Sequence, residues 1–145
     1  MNDSVSSTKG CTCFRLRRLT RRVTQHYDAW LAESGLRVTQ YSLLSMLIFF
    51  DALSVTALAD KLEMDRTTLT RNLRPLEEAG WVRSTPDARD ARSRHVHITD
   101  AGRQIWELAK PRWRAAQDSM ASVLGTDTIA ALHGLLDDSL ERMRA

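Results

Sequence analysis

Cysteine, lysine and long apolar runs are all scarce in this chain of 145 residues, and each scarcity removes a class of protein. The two cysteines, Cys11 and Cys13, are separated by one residue and cannot staple a domain of this size. They are also unnecessary for that purpose, because a chain of about 150 residues buries roughly 70% of its unfolded surface. The longest apolar run, residues 43–50, has eight residues and includes Ser45, against the ~20 that a membrane span needs. The first residues, MNDSVSSTKGCTC, lack the charged and apolar segments of a secretory signal, so a cytoplasmic location is expected. No Gly-rich phosphate loop, ordered Ser/His/Asp set or pocket-forming carboxylate pair is present, which argues against an enzyme. The sequence has no internal repeat.

Lysine is nearly absent: 3 Lys accompany 18 Arg, facing 12 Asp and 6 Glu for a net charge of +3. A total of +3 decides little about partners, so the placement of the arginines has to. Apolar residues at 43% and charged ones at 27% are globular values, which excludes a disordered chain.

Residues 1–10 are polar and expected to be a flexible N-terminus. From Cys13 to Ser34, Leu16, Leu19, Val23, Tyr27 and Trp30 recur at helical spacing, with Arg15, Arg17, Arg18, Arg21 and Arg22 opposite. Gly35 would end that helix, and Thr39 would cap a second one running to Phe50 with Tyr41, Leu43, Leu44, Leu47 and Ile48 inward. A short helix follows over residues 54–62, with Leu58, Ala59 and Leu62 inward. Asp65 caps another over 66–79, with Leu69, Leu73 and Leu76 inward, Gly80 as its stop, and Pro75 expected to kink or restart it.

The period then changes. Residues 81–85 and 94–99 read as strands joined by the charged loop 86–93, a β-hairpin. Two helices complete the chain. The first, 100–124, carries Ile105, Leu108, Ala109, Trp113, Ala116, Met120 and Val123 on one stripe; the second spans 127–144.

Residues 54–80 fit a helix-turn-helix, with a turn at Glu63-Met64 and a second helix whose outward hydroxyls and guanidinium groups suit phosphates and base edges. By position, Thr67, Thr68, Thr70 and Arg71 are candidates for groove contacts, and Arg66 and Arg74 for phosphate neutralisation. The hairpin adds Arg89, Arg92 and Arg94. A tip arginine suits a narrow minor groove, and Asp90 could hold Arg92 in one rotamer. A solvated helix and a loop of paired charges are the plainer readings of each segment taken alone.

Together these segments resemble the MarR family of winged helix-turn-helix transcriptional regulators, over roughly Cys13 to Met143. The resemblance rests on Val55-Thr56-Ala57-Leu58-Ala59, on Asp65 to Leu76, on Glu77-Glu78-Ala79-Gly80-Trp81-Val82, and most specifically on residues 90–103. The last stretch looks like the family's Asp-x-Arg wing tip, apolar strand and following Gly, with Ile98 where Leu is commoner. Pro75 and Trp81 depart mildly from the usual pattern.

The resemblance implies a mainly α fold with a small β-hairpin wing. It implies one domain over 11–144, in which 37–99 form the DNA-binding lobe and 11–36 and 100–144 the dimerisation helices. It implies a homodimeric repressor of a palindromic operator in double-stranded DNA, with half-sites ~34 Å apart. No cofactor is implied.

For an effector, Cys13-Phe14 at the start of the first helix resembles the reactive cysteine position of the family's organic-hydroperoxide sensors. Tyr27 matches the spacing of one sensor tyrosine, whereas the second would fall on Val38. A helix N-terminus and nearby arginines favour a thiolate, whose oxidation passes through a sulfenic acid to a disulfide. The alternative effector is a phenolic or aromatic ligand lined by Trp30, Tyr41, Trp106 and Trp113. Metal binding by Cys11, Cys13 and His26 lacks a fourth ligand. A thiol peroxidase built on Cys13 and a helical dimer that binds no DNA are the alternatives from other classes.

Overall fold

The computed structural model describes residues 10–90 and 92–144. The expected flexible segment 1–10 lies outside the described residues except for Gly10, which is an exposed turn position. The chain divides into two compact units, residues 1–30 with 113–145 and residues 31–112.

The second unit contains the sheet. It runs from Leu31 through a 3₁₀ turn, Ala32–Ser34, into α2 (Val38–Phe50), β1 (Ala52–Ser54), α3 (Val55–Leu62), α4 (Arg66–Glu78), β2 (Val82–Pro86) and β3 (Arg94–Ile98). It also holds the first half of α5 (Asp100–Leu124). Gly35 takes the left-handed conformation (φ 81°) that ends the 3₁₀ turn. Thr39 does not cap α2, because the helix begins one residue earlier. Arg37 occupies the cap, and its N–H donates to the Gln40 side chain at 3.0 Å.

Its core is leucine-based. Leu44, Leu47, Leu58, Leu69 and Leu76 are fully buried with Val96, and Leu43, Leu73, Val82 and Tyr41 nearly so. Each such leucine stabilises the fold by about 1.5–3 kcal/mol through lost apolar exposure. Ser54 caps α3 by accepting from the Ala57 N–H at 3.0 Å. Glu63, at φ 50°, turns the chain between α3 and α4.

The sheet has three strands in the order β1-β3-β2, all antiparallel. The hairpin β2–β3 was expected, but β1 was not. Its three residues are too few for alternation to show, and Ala52 and Leu53 read equally well as a helix end. Register pairs Leu53 and Ser84 with Val96, and Ser54 and Thr85 with His95. The buried Val96 and Ile98 therefore face the core while His95 and His97 point to the opposite side.

The first unit comprises most of α1 (Thr12–Leu31), the end of α5 and α6 (Thr126–Met143). Ala116 and Met120 are buried, but α6 has no buried residue. The predicted stripe of α5 is only partly inward, since Leu108 and Val123 are both 68% exposed. Phe14, Leu16, Trp30, Leu135, Leu140 and Met143 are exposed as well. No helix among the described residues is long and apolar enough to cross a membrane.

Candidate nucleic-acid interface

Helix α4 presents one apolar and one polar side. Leu69, Leu73 and Leu76 fix it to the lobe, and the outer side forms an open groove of about 790 Å³ lined by Arg66, Thr67, Thr70, Arg71, Arg74 and Glu77. Asp65 caps the helix by accepting from Thr68 twice, from its backbone N–H at 2.8 Å and from its hydroxyl at 2.7 Å. Those bonds hold the Asp65 carboxyl below the usual carboxylate range. They also commit the Thr68 proton, and Thr68 does not line the groove. Five of the six α4 candidates therefore share one surface, and Thr68 is not among them. Arg74 reaches Glu78, one turn on, at 3.7 Å in an exposed pair.

Pro75 neither breaks nor restarts the helix, which runs continuously from Arg66 to Glu78. The absent N–H leaves only the Arg71 carbonyl without its usual donor. The helix ends in a Schellman arrangement: Gly80, at φ 76°, donates to the Glu77 carbonyl, and the Trp81 N–H to the Leu76 carbonyl at 2.9 Å. Near that end, Glu77 accepts from the Ser84 hydroxyl at 2.6 Å and so ties α4 to β2.

The hairpin loop is organised by aspartates. Asp87 accepts from the Arg89 N–H and Asp90 from the Arg92 N–H, both at 2.9 Å. Asp90 thus orders Arg92 through its backbone, whereas the sequence suggested a grip on the guanidinium. An Asx turn competes for the same carboxylate and closes over two residues. Arg94 is held away from the tip, its guanidinium donating to the Ser84 carbonyl at 3.4 Å. Arg89 and Arg92 are the exposed tip cations. Alternation on one strand puts His95 and His97 on its polar face, suited to DNA-proximal or solvated positions rather than to metal ligation. The His95 Nδ1 lies 3.8 Å from Asp87 Oδ2, and the His97 Nε2 pairs with the Thr85 hydroxyl at 2.9 Å.

This arrangement, a two-helix reader followed by an arginine-tipped hairpin, matches a known family. The MarR family profile matches residues 36–93. The transcriptional activatory protein BadR of Rhodopseudomonas palustris is 34% identical over 140 residues, covering 90% of this chain and 78% of BadR. The chain belongs to the MarR family. It is accordingly a DNA-binding transcriptional regulator with the winged-helix fold.

A further relative, the HTH-type transcriptional regulator TtmR of Methylorubrum extorquens, is 33% identical over 71% of this chain, which spans about half (53%) of TtmR. Among solved structures, the M. tuberculosis regulator MosR in complex with DNA superposes with a TM-score of 0.79 at 33% identity, covering 93% of this chain and 99% of MosR. A mutant form of E. coli MarR with operator DNA superposes at 0.81 with 23% identity, covering 92% and 96%, a likeness of fold alone.

The sensor candidates occupy the first unit. Cys11 and Cys13 are exposed, free thiols. Cys11, not Cys13, takes the cap position of α1, where its sulfur accepts from the Phe14 N–H at 3.5 Å. Cys13 and Tyr27 share α1 fourteen residues apart, about 21 Å along the axis, so one chain does not bring them together. Tyr27 instead donates to the Gln117 side chain, with burial raising its pKa. It lines an apolar groove of about 430 Å³ with Leu16, Leu19, Val23, Leu132 and His133. His26 pairs with the Ala116 carbonyl at 3.2 Å. Among the described residues, no three His, Cys, Asp or Glu gather as a metal site.

Of the aromatic residues expected around a ligand, Tyr41 and Trp106 stack at 6.0 Å within the second unit, and Lys110 sits 4.9 Å over the Trp106 ring. The Trp106 indole donates to Ser45 at 2.8 Å. Trp30 and Trp113 belong to the first unit.

Proposed function

We infer that the protein is a homodimeric repressor that reads a palindromic operator and is released from it by an effector. The observation that carries the reading is the groove of α4, where Arg66, Thr67, Thr70, Arg71 and Arg74 share the surface opposite three buried leucines. Hydroxyls and guanidinium groups there suit phosphate oxygens and base edges, and Arg92, with Arg89 beside it, extends the contact into an adjacent minor groove. Asp90 supports that contact by ordering the backbone of Arg92, and Arg94 stiffens the hairpin behind it.

In the same reading, 37–99 form the DNA-binding lobe, and 11–36 and 100–144 dimerise. The support for dimerisation is the apolar surface left on the first unit, where Leu135 is 67% and Met143 84% exposed. The protein works in the cytoplasm without a catalytic step. BadR is named as an activator, so the sign of regulation is measured together with binding.

The effector in this proposal is an oxidant acting on Cys11 and Cys13. The two thiols stand at the exposed start of α1, one of them on the helix cap. Tyr27 would join them only from a second copy. A phenolic or aromatic ligand against the stacked Tyr41 and Trp106 is the second reading, favoured by the Lys110 ammonium above that pair, which suits an anion.

The test is a gel shift with DNA from upstream of the protein's own gene, with and without peroxide, under reducing and non-reducing conditions. A shift lost on oxidation and restored by thiol is expected. No shift at all would overturn the regulator reading. A shift indifferent to peroxide would transfer the effector role to the ligand.

A further inference from the structure

The wing loop has a second anchor, which lies outside it. Asp87 begins the loop and is only 18% exposed at its side chain. One carboxylate oxygen accepts from the Arg89 N–H, its own N–H donates to the Ser93 carbonyl at 3.0 Å, and its other oxygen faces the His95 imidazole at 3.8 Å. His95 stands on β3, whose position is fixed by strands on both sides. The chain of contacts therefore runs from the sheet, through imidazole and carboxylate, to the backbone that carries the tip arginines.

We propose that His95 is a positioning residue for DNA binding: charged, it clamps Asp87 and so holds the Arg89–Arg92 tip in its binding conformation. The proposal rests on reading the wing as a DNA contact. An imidazolium gains a charge-assisted contact with Asp87 that a neutral ring lacks. A neutral ring offers Asp87 no such contact, so pH is the variable by which the clamp is tested.

The surroundings permit this. On the same face His97 has its ring centroid 6.5 Å away and its Nε2 engaged by Thr85, and Arg83 is the cationic neighbour beyond it. Cross-strand from His95 lie Thr85 and Ser54, both uncharged, and Arg83 pairs with His97 one step away. Arg94 points back to the Ser84 carbonyl. Asp87 is thus the acidic partner of His95, and the ordering energy is that of a partly exposed ion pair.

The test is operator affinity from pH 8 to pH 5.5 for the full chain, His95→Gln, His97→Gln and Asp87→Asn. Asparagine at 87 can still accept from the Arg89 N–H while losing the charge. The wild type is expected to bind about two- to fivefold more tightly at the acid end. His97→Gln should keep that gain, and His95→Gln and Asp87→Asn should both lose it. A gain that survives in His95→Gln, or its absence from the wild type, would overturn the proposal. So would a gain lost in His95→Gln but kept in Asp87→Asn, because His95 would then be touching phosphate directly. Arg92→Ala, assayed at pH 8, reports separately on the wing: unchanged affinity there would remove the underlying reading and leave the imidazole contact untouched.

Discussion

Gly102, at the start of α5, is packed against Trp81, at the end of the turn that follows α4. A Cβ on residue 102 would collide with the Trp81 carbonyl oxygen and stand 2.8 Å from Ile98 Cγ1. Trp81 O already accepts from the Thr99 N–H at 3.0 Å, and the Thr99 hydroxyl accepts from the Gly102 N–H at 3.1 Å while donating to the Gly80 carbonyl at 2.6 Å. The carbonyl is backbone already held by Thr99, so it cannot swing aside as the end of a flexible side chain could. Gly102→Ala should therefore destabilise the protein by about 1–3 kcal/mol in urea unfolding. A midpoint equal to wild type would show that the root of the wing can relax.

Asp65 supplies a pH test of the recognition helix. Its carboxyl is held below the usual value by the Thr68 N–H first and by the Thr68 hydroxyl next. A depressed folded pKa contributes stability above the unfolded value, near ~3.9, and loses it as pH falls through the folded value. Asparagine keeps a neutral acceptor at the cap and does not titrate, so it lacks the extra strength of the ionised carboxylate. Thermal melts of wild type and Asp65→Asn should therefore diverge at neutral pH, with wild type higher, and converge in acid. Asp65→Ala should lie below both at neutral pH. Curves that stay parallel down to about pH 2 would contradict the assignment.

Salt dependence reads the charged contacts. Arg92→Ala and Arg71→Ala should each weaken operator binding and lower the slope of log K against log salt by about one unit for each phosphate no longer neutralised. Thr68→Val should change affinity least among the α4 threonines, because its proton is already given to Asp65. Fluorescence anisotropy at several salt concentrations checks all three.

The thiols are tested separately. Cumene hydroperoxide should release DNA from wild type, whereas Cys13→Ser should stay bound. Cys11→Ser should respond incompletely if both sulfurs enter the disulfide. Cys13→Ser released like wild type would end the oxidant reading. Mass spectrometry of the oxidised protein identifies the bond.

Self-association follows from the exposed face of α6. Leu136→Asp and Leu140→Asp remove apolar area from a helix that has no buried residue in the single chain. Each should raise the dimer dissociation constant by at least about tenfold in sedimentation, without lowering the helix content of the monomer.

Much of this was legible in the sequence. Leu69, Leu73 and Leu76 fall at three- and four-residue intervals, and all three are buried in α4. Val96 and Ile98 alternate with two histidines, and that alternation sets both the strand and its register. What was not legible depended on partners distant in sequence or on competition between nearby groups. Strand β1 exists because Leu53 finds Val96, 43 residues on, and no local pattern announces it. Leu108 and Val123 have the right spacing on α5 but no covering element among the described residues. Thr39 lost its capping role because the helix could begin earlier, on Arg37 and Gln40. The Asp90 carboxylate has two possible partners in Arg92, and it is the backbone N–H that it accepts from.

Ser54 belongs to two devices at once. It caps α3, the first helix of the reader, and it sits opposite His95 in the sheet from which the wing projects. The helix that seats α4 and the strand that carries the hairpin therefore share a hinge pin rather than a tether. At Ser54 the start of α3 and the middle strand of the sheet meet in one residue, so neither can be repositioned there without the other.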